Sequence, residues 1–186
     1  MAKGIFRTVV YIDASNIKAN VGRIDYKRLM EYLRNRYGSE SPGNLLNVKV
    51  FTPILVNARN TRDGFLQLLK GVGYDVHITD AFINAINTRY KDNSDMKIAV
   101  EVVDDLKDEL ARRFVFMTGD RDFLFVIERV IHSGRSVEIF GPASATCSEY
   151  RLMKGFIEIE AIRGIKLAEE KVFSSYKNMR EVMNSS

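Results

Sequence analysis

A chain of 186 residues suits one domain, and 46% hydrophobic with 28% charged residues describes a globular fold with a core of its own. A single cysteine, Cys147, excludes an internal disulfide framework and a cysteine-rich zinc site, and the only two histidines, His77 and His132, lack ligand-like spacing, so a hard metal held by oxygen fits this inventory better than zinc. The net charge of +4 and pI near 9.1 admit nucleic acid as a partner without requiring it. No apolar run reaches the roughly 18 residues a membrane-spanning helix needs. The first such run ends on Asp13, not on a small-residue cleavage site, so a cytosolic protein with no membrane partner is expected.

Strand and helix patterns alternate along the chain. Residues 5–13 read as a buried strand. Asp25 caps a helix over 26–37 with Leu29, Met30, Leu33 and Tyr37 on one face and Gly38 at its stop. SESPGN at 39–44 is a loop, and 45–56 is a second strand whose Pro53 places its last part outside the central ladder. A short helix over 61–72 turns Phe65, Leu68 and Leu69 inward, and 74–80 alternates as a third strand. The stretch 81–93 is a loop holding a helix or a hairpin. A long helix over 94–111 begins at Ser94, a fourth strand covers 113–118, and GDRD opens a helix to about 133, which Gly134 ends. A fifth strand over 135–141, a helix over 144–154 and an edge strand in FIEIEAI follow. The last segment, 165–186, is an amphipathic helix with Ile165, Val172, Tyr176, Met179 and Met183 in one stripe. It packs on the domain of residues 1–164 or on a partner subunit, as a homodimer contact. Such alternation predicts an α/β three-layer sandwich around a parallel sheet.

Ligands of such sheets bind beyond the carboxyl ends of the strands. Asp13 and Asp120 directly follow apolar strands, Asp95 opens the long helix, and Asp122 follows Asp120 by two residues. Each alone has a structural reading: an Asx turn for Asp13, a first-turn acid on a helix dipole for Asp95 and Asp122. Their joint occurrence favours a site. If the first and fourth strands are neighbours, their ends lie about 5 Å apart, close enough for a shared divalent metal. Asn16 offers an amide beside them. Glu101 is expected to pair with Lys97 one turn away, and Asp104, Asp105, Asp108 and Glu109 to belong to the same charged face. Asp80 ends an edge strand, too far from the metal.

IDASNI at 12–17, KDNSDMKIAVEVV at 91–103 and TGDRDF at 118–123 resemble the NYN family, in the LabA-like branch of the PIN-like nucleases, in order and spacing over about residues 5–160. The resemblance implies parallel strand order 3-2-1-4-5 and metal-dependent cleavage of RNA. Its motif acids correspond here to Asp13, Asp95, Glu101, Asp120 and Asp122, and its lysine to Lys91. Thr118 stands for the usual serine, Arg121 for a small residue, and Glu101 for the more usual aspartate. The segment between Lys91 and Asp95 is slightly longer than the pattern.

The expected mechanism has Asp13, Asp95 and Asp120 holding Mg²⁺ or Mn²⁺, with Asp122 as a further ligand or orienting a water. Asn16, Thr118, Lys91 and Arg121 position the substrate. Lys18, Arg23 and Arg89 line a phosphate track toward single-stranded or structured RNA, which Arg59 and Arg62 extend, and Tyr90 or Phe82 stacks on a base or packs in the core. The alternative is a non-catalytic RNA-binding or regulatory module on the same fold. An aspartyl phosphatase lacks its second acid, since Ala14 and Ser15 follow Asp13. A topoisomerase–primase-like site wants Glu at the first strand end. A hydrolase triad on His77 or His132 lacks a motif.

Overall fold

A computed structural model describes residues 6–38, 44–55, 63–83 and 90–167. Its strands form one sheet: β1 (Phe6–Asp13), β2 (Asn44–Leu55), β3 (Asp75–Ile83), β4 (Tyr90–Asp92), β5 (Ala111–Met117), β6 (Ser136–Gly141) and β7 (Phe156–Glu158), in the order β4-β3-β2-β1-β5-β6-β7. All pair in parallel except β4, which runs antiparallel to β3. The expected order 3-2-1-4-5 is present, with one further parallel strand and the antiparallel β4 at the two edges. The helices are α1 (Ala14–Asn20), α2 (Tyr26–Tyr37), α3 (Asp63–Val72), α4 (Ser94–Asp105), α5 (Leu124–His132) and α6 (Ser148–Arg151).

The central strands are apolar on both faces because helices cover both. Val10 and Ile12 of β1, with Val115 and Met117 of β5, pack under α1, α2 and α3. Val9 and Tyr11, with Phe114 and Phe116, pack under Ile98 and Val102 of α4 and Ile127 and Val130 of α5. Asp25 accepts the backbone N–H of Arg28 at 3.0 Å and caps α2, whose Leu29, Met30, Leu33 and Tyr37 are buried as the periodicity predicts.

Several boundaries differ from the sequence reading. β2 continues through Pro53, which pairs with Thr79 of β3. β1 has already ended opposite Phe51, so this part of β2 keeps only its β3 neighbour, a setting that tolerates proline. Leu68 is exposed, leaving Leu69 as the buried residue of α3. The stretch 81–93, expected as a loop with a helix or a hairpin, holds the end of β3 paired antiparallel with β4; residues 84–89 lie outside the described ones. α4 stops at Asp105, six residues before the start of β5 and well short of 111. Its end is taken up by turns from Lys107 N–H to Asp104 O and from Ala111 N–H to Asp108 O, and by the 2.7 Å ion pair of Asp108 with Arg7. The expected helix over 144–154 is the four residues of α6. Ile165 is buried in the core and Lys166 bridges to Ile24, so 165–167 belong to the domain; the rest of the expected terminal helix lies outside the described residues.

Candidate functional site

β1 and β5 pair side by side, with Ile12 opposite Met117, so the residues that follow them meet at one rim. Asp13 is 2% exposed and serves two elements. Its Oδ1 accepts Ser15 Oγ at 2.7 Å and the Asn16 backbone N–H at 3.0 Å, capping α1, and its Oδ2 accepts Thr118 Oγ1 at 3.3 Å across the strands. That cap explains a helix the sequence does not advertise. Seven residues with Ser15, Asn16 and Asn20 among them make a poor helix, and the carboxylate anchors its first turn. Thr118 also accepts the Asp120 N–H at 3.2 Å, and Asn16 Oδ1 accepts the Gly119 N–H at 3.0 Å. The two strand ends are thereby laced together at the site.

Gly119 is required there. A Cβ at this position would stand 2.5 Å from the Ala145 carbonyl oxygen, with backbone on every near side. Asp120 follows it, caps the short 3-10 turn Arg121–Phe123 by accepting the Asp122 N–H at 3.0 Å, and is held from behind by Tyr150, whose hydroxyl donates to the Asp120 carbonyl at 2.7 Å.

Above the rim lies a cleft of about 390 Å³ lined by Asp13, Ser15, Asn16, Ala19, Asn20, Asp92, Asp95 and Asp120. Four of these are carboxylates from different elements, and among the described residues no Lys, Arg or His joins them. Burial pushes the Asp13 carboxyl above the usual range, partly opposed by its hydrogen bonds to Asn16, Ser15 and Thr118. Asp95 is pushed up to about 6, by burial first and then by the like charges of Asp13, Asp120, Asp92 and Asp122.

The cleft thus brings together Asp13, Asn16, Asp95 and Asp120 of the expected set, with Thr118 directly behind them. Asp122 is exposed and does not line it, although Asp95 feels its charge. Arg121 does not point among the acids; it pairs with Glu149 at 2.6 Å. Lys18 on α1 and Arg23 in the turn after it are exposed. Lys91, Phe82 and Tyr90 have their backbones in β3 or β4 and their side chains outside the described residues, as are Arg59, Arg62 and Arg89 altogether. Glu101 does not pair with Lys97. It meets Lys49 of β2, 6% exposed, whose Nζ lies 2.7 Å from both Glu101 and Asp105. Tyr11 donates to Asp105 at 2.6 Å. Burial pulls Lys49 down, but its bonds to Asp105 and Glu101 outweigh this and hold it above its ordinary range.

The sequence reading missed Asp92, Ser15, Ala19 and Asn20. Asp92 closes β4 and accepts the Ser94 N–H at 2.8 Å and its hydroxyl, so it starts α4 and lines the cleft at once. Asn20 donates to the Asn16 carbonyl at 2.9 Å, one helical turn on. The available signals were the second acid three residues before Asp95 and the Asn16/Asn20 spacing of four.

Among the described residues, no three Asp, Glu, His or Cys side chains stand together as a direct metal cage. The donor set still fits a hard divalent cation. Mg²⁺ takes one or two carboxylates and fills its remaining positions with water and phosphate oxygens, and Mn²⁺ prefers the same oxygen donors. Mutual repulsion among these acids is the strain such an ion relieves.

The NYN domain model matches residues 7–160. The chain belongs to the NYN family. No curated protein matches it. The fold is similar to the solved structure of a protein of unknown function from Vibrio parahaemolyticus, with a TM-score of 0.68 and 18% identity over 89% of this chain and 99% of that one. At that identity the likeness shows the fold alone. The NYN match covers every element from β1 to β7 and both faces of the sheet, and with it the PIN-like nuclease fold. Among the described residues of this NYN domain, no helix is long and apolar enough to cross a membrane.

Proposed function

We propose that this NYN domain is a metal-dependent ribonuclease whose site is the acidic cleft. The supporting observation is four carboxylates, from β1, β4, α4 and the β5 end, facing one cleft that no cation lines among the described residues. A scissile phosphate meets like charge at such a cleft, and a bound cation would offset that repulsion. Asp13, Asp95 and Asp120 would hold Mg²⁺ or Mn²⁺, directly or through water, and Asp92 lines the same cleft. The bound ion supplies positive charge at the scissile phosphate and a water of lowered pKa.

This chain's residues do the rest. Asp13 is fixed by three hydrogen bonds, so its carboxylate needs no reorganisation as charge develops. Asn16 commits its amide oxygen to Gly119, leaving its amide nitrogen to donate toward a phosphate or a water. Thr118 orders Asp13 and Asp120 together, positioning both without reaching the substrate. Exposed Lys18 and Arg23 hold flanking phosphates, which gives affinity with little sequence preference.

The test is incubation of end-labelled RNA with Mn²⁺, Mg²⁺ or EDTA. Cleavage in a divalent metal, absent in EDTA, leaving no 2′,3′-cyclic phosphate end is the expected result, because water and not the 2′-hydroxyl is the nucleophile. RNA binding without cleavage in any metal selects the second reading, a non-catalytic RNA-binding module. One observation favours that reading: the acids do not already form a direct cage.

A further inference from the structure

The two lips of the cleft are unlike. The α1 lip carries the exposed Lys18 and, in the turn after it, Arg23, neither in an ion pair among the described residues. The opposite lip, formed by the first turns of α4 and α5, carries two large apolar side chains in water. Met96 is 69% exposed and follows Asp95 directly, and Phe125 is 84% exposed, five residues after Asp120. α4 and α5 pack against one another and α4 against the turn Arg121–Phe123, so both side chains stand on helices that cover the same face of the sheet, opposite α1. Neither contributes to the core: the inward positions are Ile98 and Val102 on α4, and Ile127 and Val130 on α5. An exposed phenylalanine beside a charged cleft gains nothing for the fold. One turn after Phe125, on its face of α5, stands exposed Arg129, also outside any ion pair among the described residues.

A single nucleic-acid strand has the matching asymmetry, with phosphates along one side and unpaired bases along the other. From Asp120 to Phe125 the chain advances about 9 Å along the helical turns. That is two or three nucleotides of a stacked strand at about 3.4 Å each. Resting on the nuclease reading of the cleft, we infer that Phe125 is the platform on which a base two or three nucleotides from the scissile phosphate stacks. Arg129 then takes a following phosphate. A base inside a duplex cannot reach the platform, so Phe125 discriminates for unpaired substrate, and any base serves because every base has a π face.

The test measures affinity in EDTA, where no cleavage occurs, for a labelled single-stranded oligoribonucleotide, the same sequence as a duplex, and an abasic oligomer of equal length. Phe125→Ala is expected to weaken single-strand binding about tenfold, within the range seen for losing one stacked base, and Phe125→Trp to restore it. Duplex and abasic affinities should not change, nor should the salt dependence, since no phosphate contact is lost. Phe125 is exposed, so an unchanged melting temperature will show that the variant is folded. Equal single-strand affinity in wild type and Phe125→Ala overturns the inference; if metal-dependent cleavage persists, the nuclease reading stands without it. A loss of affinity that is the same for the abasic oligomer also overturns it. So does a change in solution mass on Phe125→Ala, which would make this lip a protein interface. Wild-type protein that neither binds nor cleaves single strands sinks both readings.

Discussion

Asp95→Asn should make this protein more stable and less able to do its chemistry. The Asp95 carboxyl, ordinarily near 3.8, is pushed up to about 6 by burial and by Asp13, Asp120, Asp92 and Asp122. A folded-state value above the unfolded one means that the folded protein binds more protons between those limits, so stability falls as pH rises from about 4 to 6 and stays reduced above. Undiscounted, the difference corresponds to about 3 kcal/mol. Asp95 is exposed to solvent, and screening reduces this to on the order of 1 kcal/mol. For a domain of this size that is about 2–4 °C in Tm. The assay is thermal melting in EDTA at pH 7.5 and pH 4, with and without Mg²⁺. The variant should melt higher than wild type at pH 7.5, the gap should close at pH 4, and Mg²⁺ should raise wild type more than the variant. A variant that melts lower at pH 7.5, or a gap that ignores pH, refutes the electrostatic reasoning about the cleft.

Asp13→Ala removes the cap of α1 and should lower stability by on the order of 1 kcal/mol, whereas Asp13→Asn keeps an acceptor and should melt near wild type; both should lose cleavage, and melting beside an RNA assay separates the effects. Gly119→Ala forces a Cβ onto the Ala145 carbonyl, so it should cost about 1–3 kcal/mol and depress cleavage by displacing Asp120; urea denaturation and turnover check both. Lys49→Met leaves Glu101 and Asp105 facing each other without their cation, and breaking such a buried pair should cost about 3 kcal/mol. Denaturation at pH 7.5 reads the loss, and Lys49→Met combined with Glu101→Gln should recover part of it.

Asp13 and Asp120 were legible because each ends a continuous apolar run, and in a parallel sheet that pattern fixes both burial and the rim on which the strand stops. Asp95 was legible from its place at the start of a helix. Asp92 was not, because its position depends on β4 pairing with β3, and three residues of strand carry no pattern of their own. α1 was hidden for a related reason: its residues disfavour helix, and the Asp13 carboxylate that starts it was assigned elsewhere. The Lys97–Glu101 pair was a fair local expectation that lost to a partner 52 positions away, since a lysine buried on β2 needs a carboxylate more than a solvated one does. The extra length given to α4 had the same origin. Leu106 to Leu110 reads as helix, but Ala111–Met117 is required as the strand beside β1, so the chain must turn first.

The most direct test of the central claim is the single-turnover cleavage rate of Asp120→Asn against wild type, at saturating single-stranded RNA in Mn²⁺, with RNA affinity measured on the same preparations. Asp120 faces the cleft yet holds the fold mainly through its backbone, so the variant should fold and bind RNA as wild type does. Its rate should drop by on the order of a hundredfold or more, as expected when a charge that acts in the transition state is removed. Equal rates in the two proteins, or wild-type cleavage that continues in EDTA, would contradict the account.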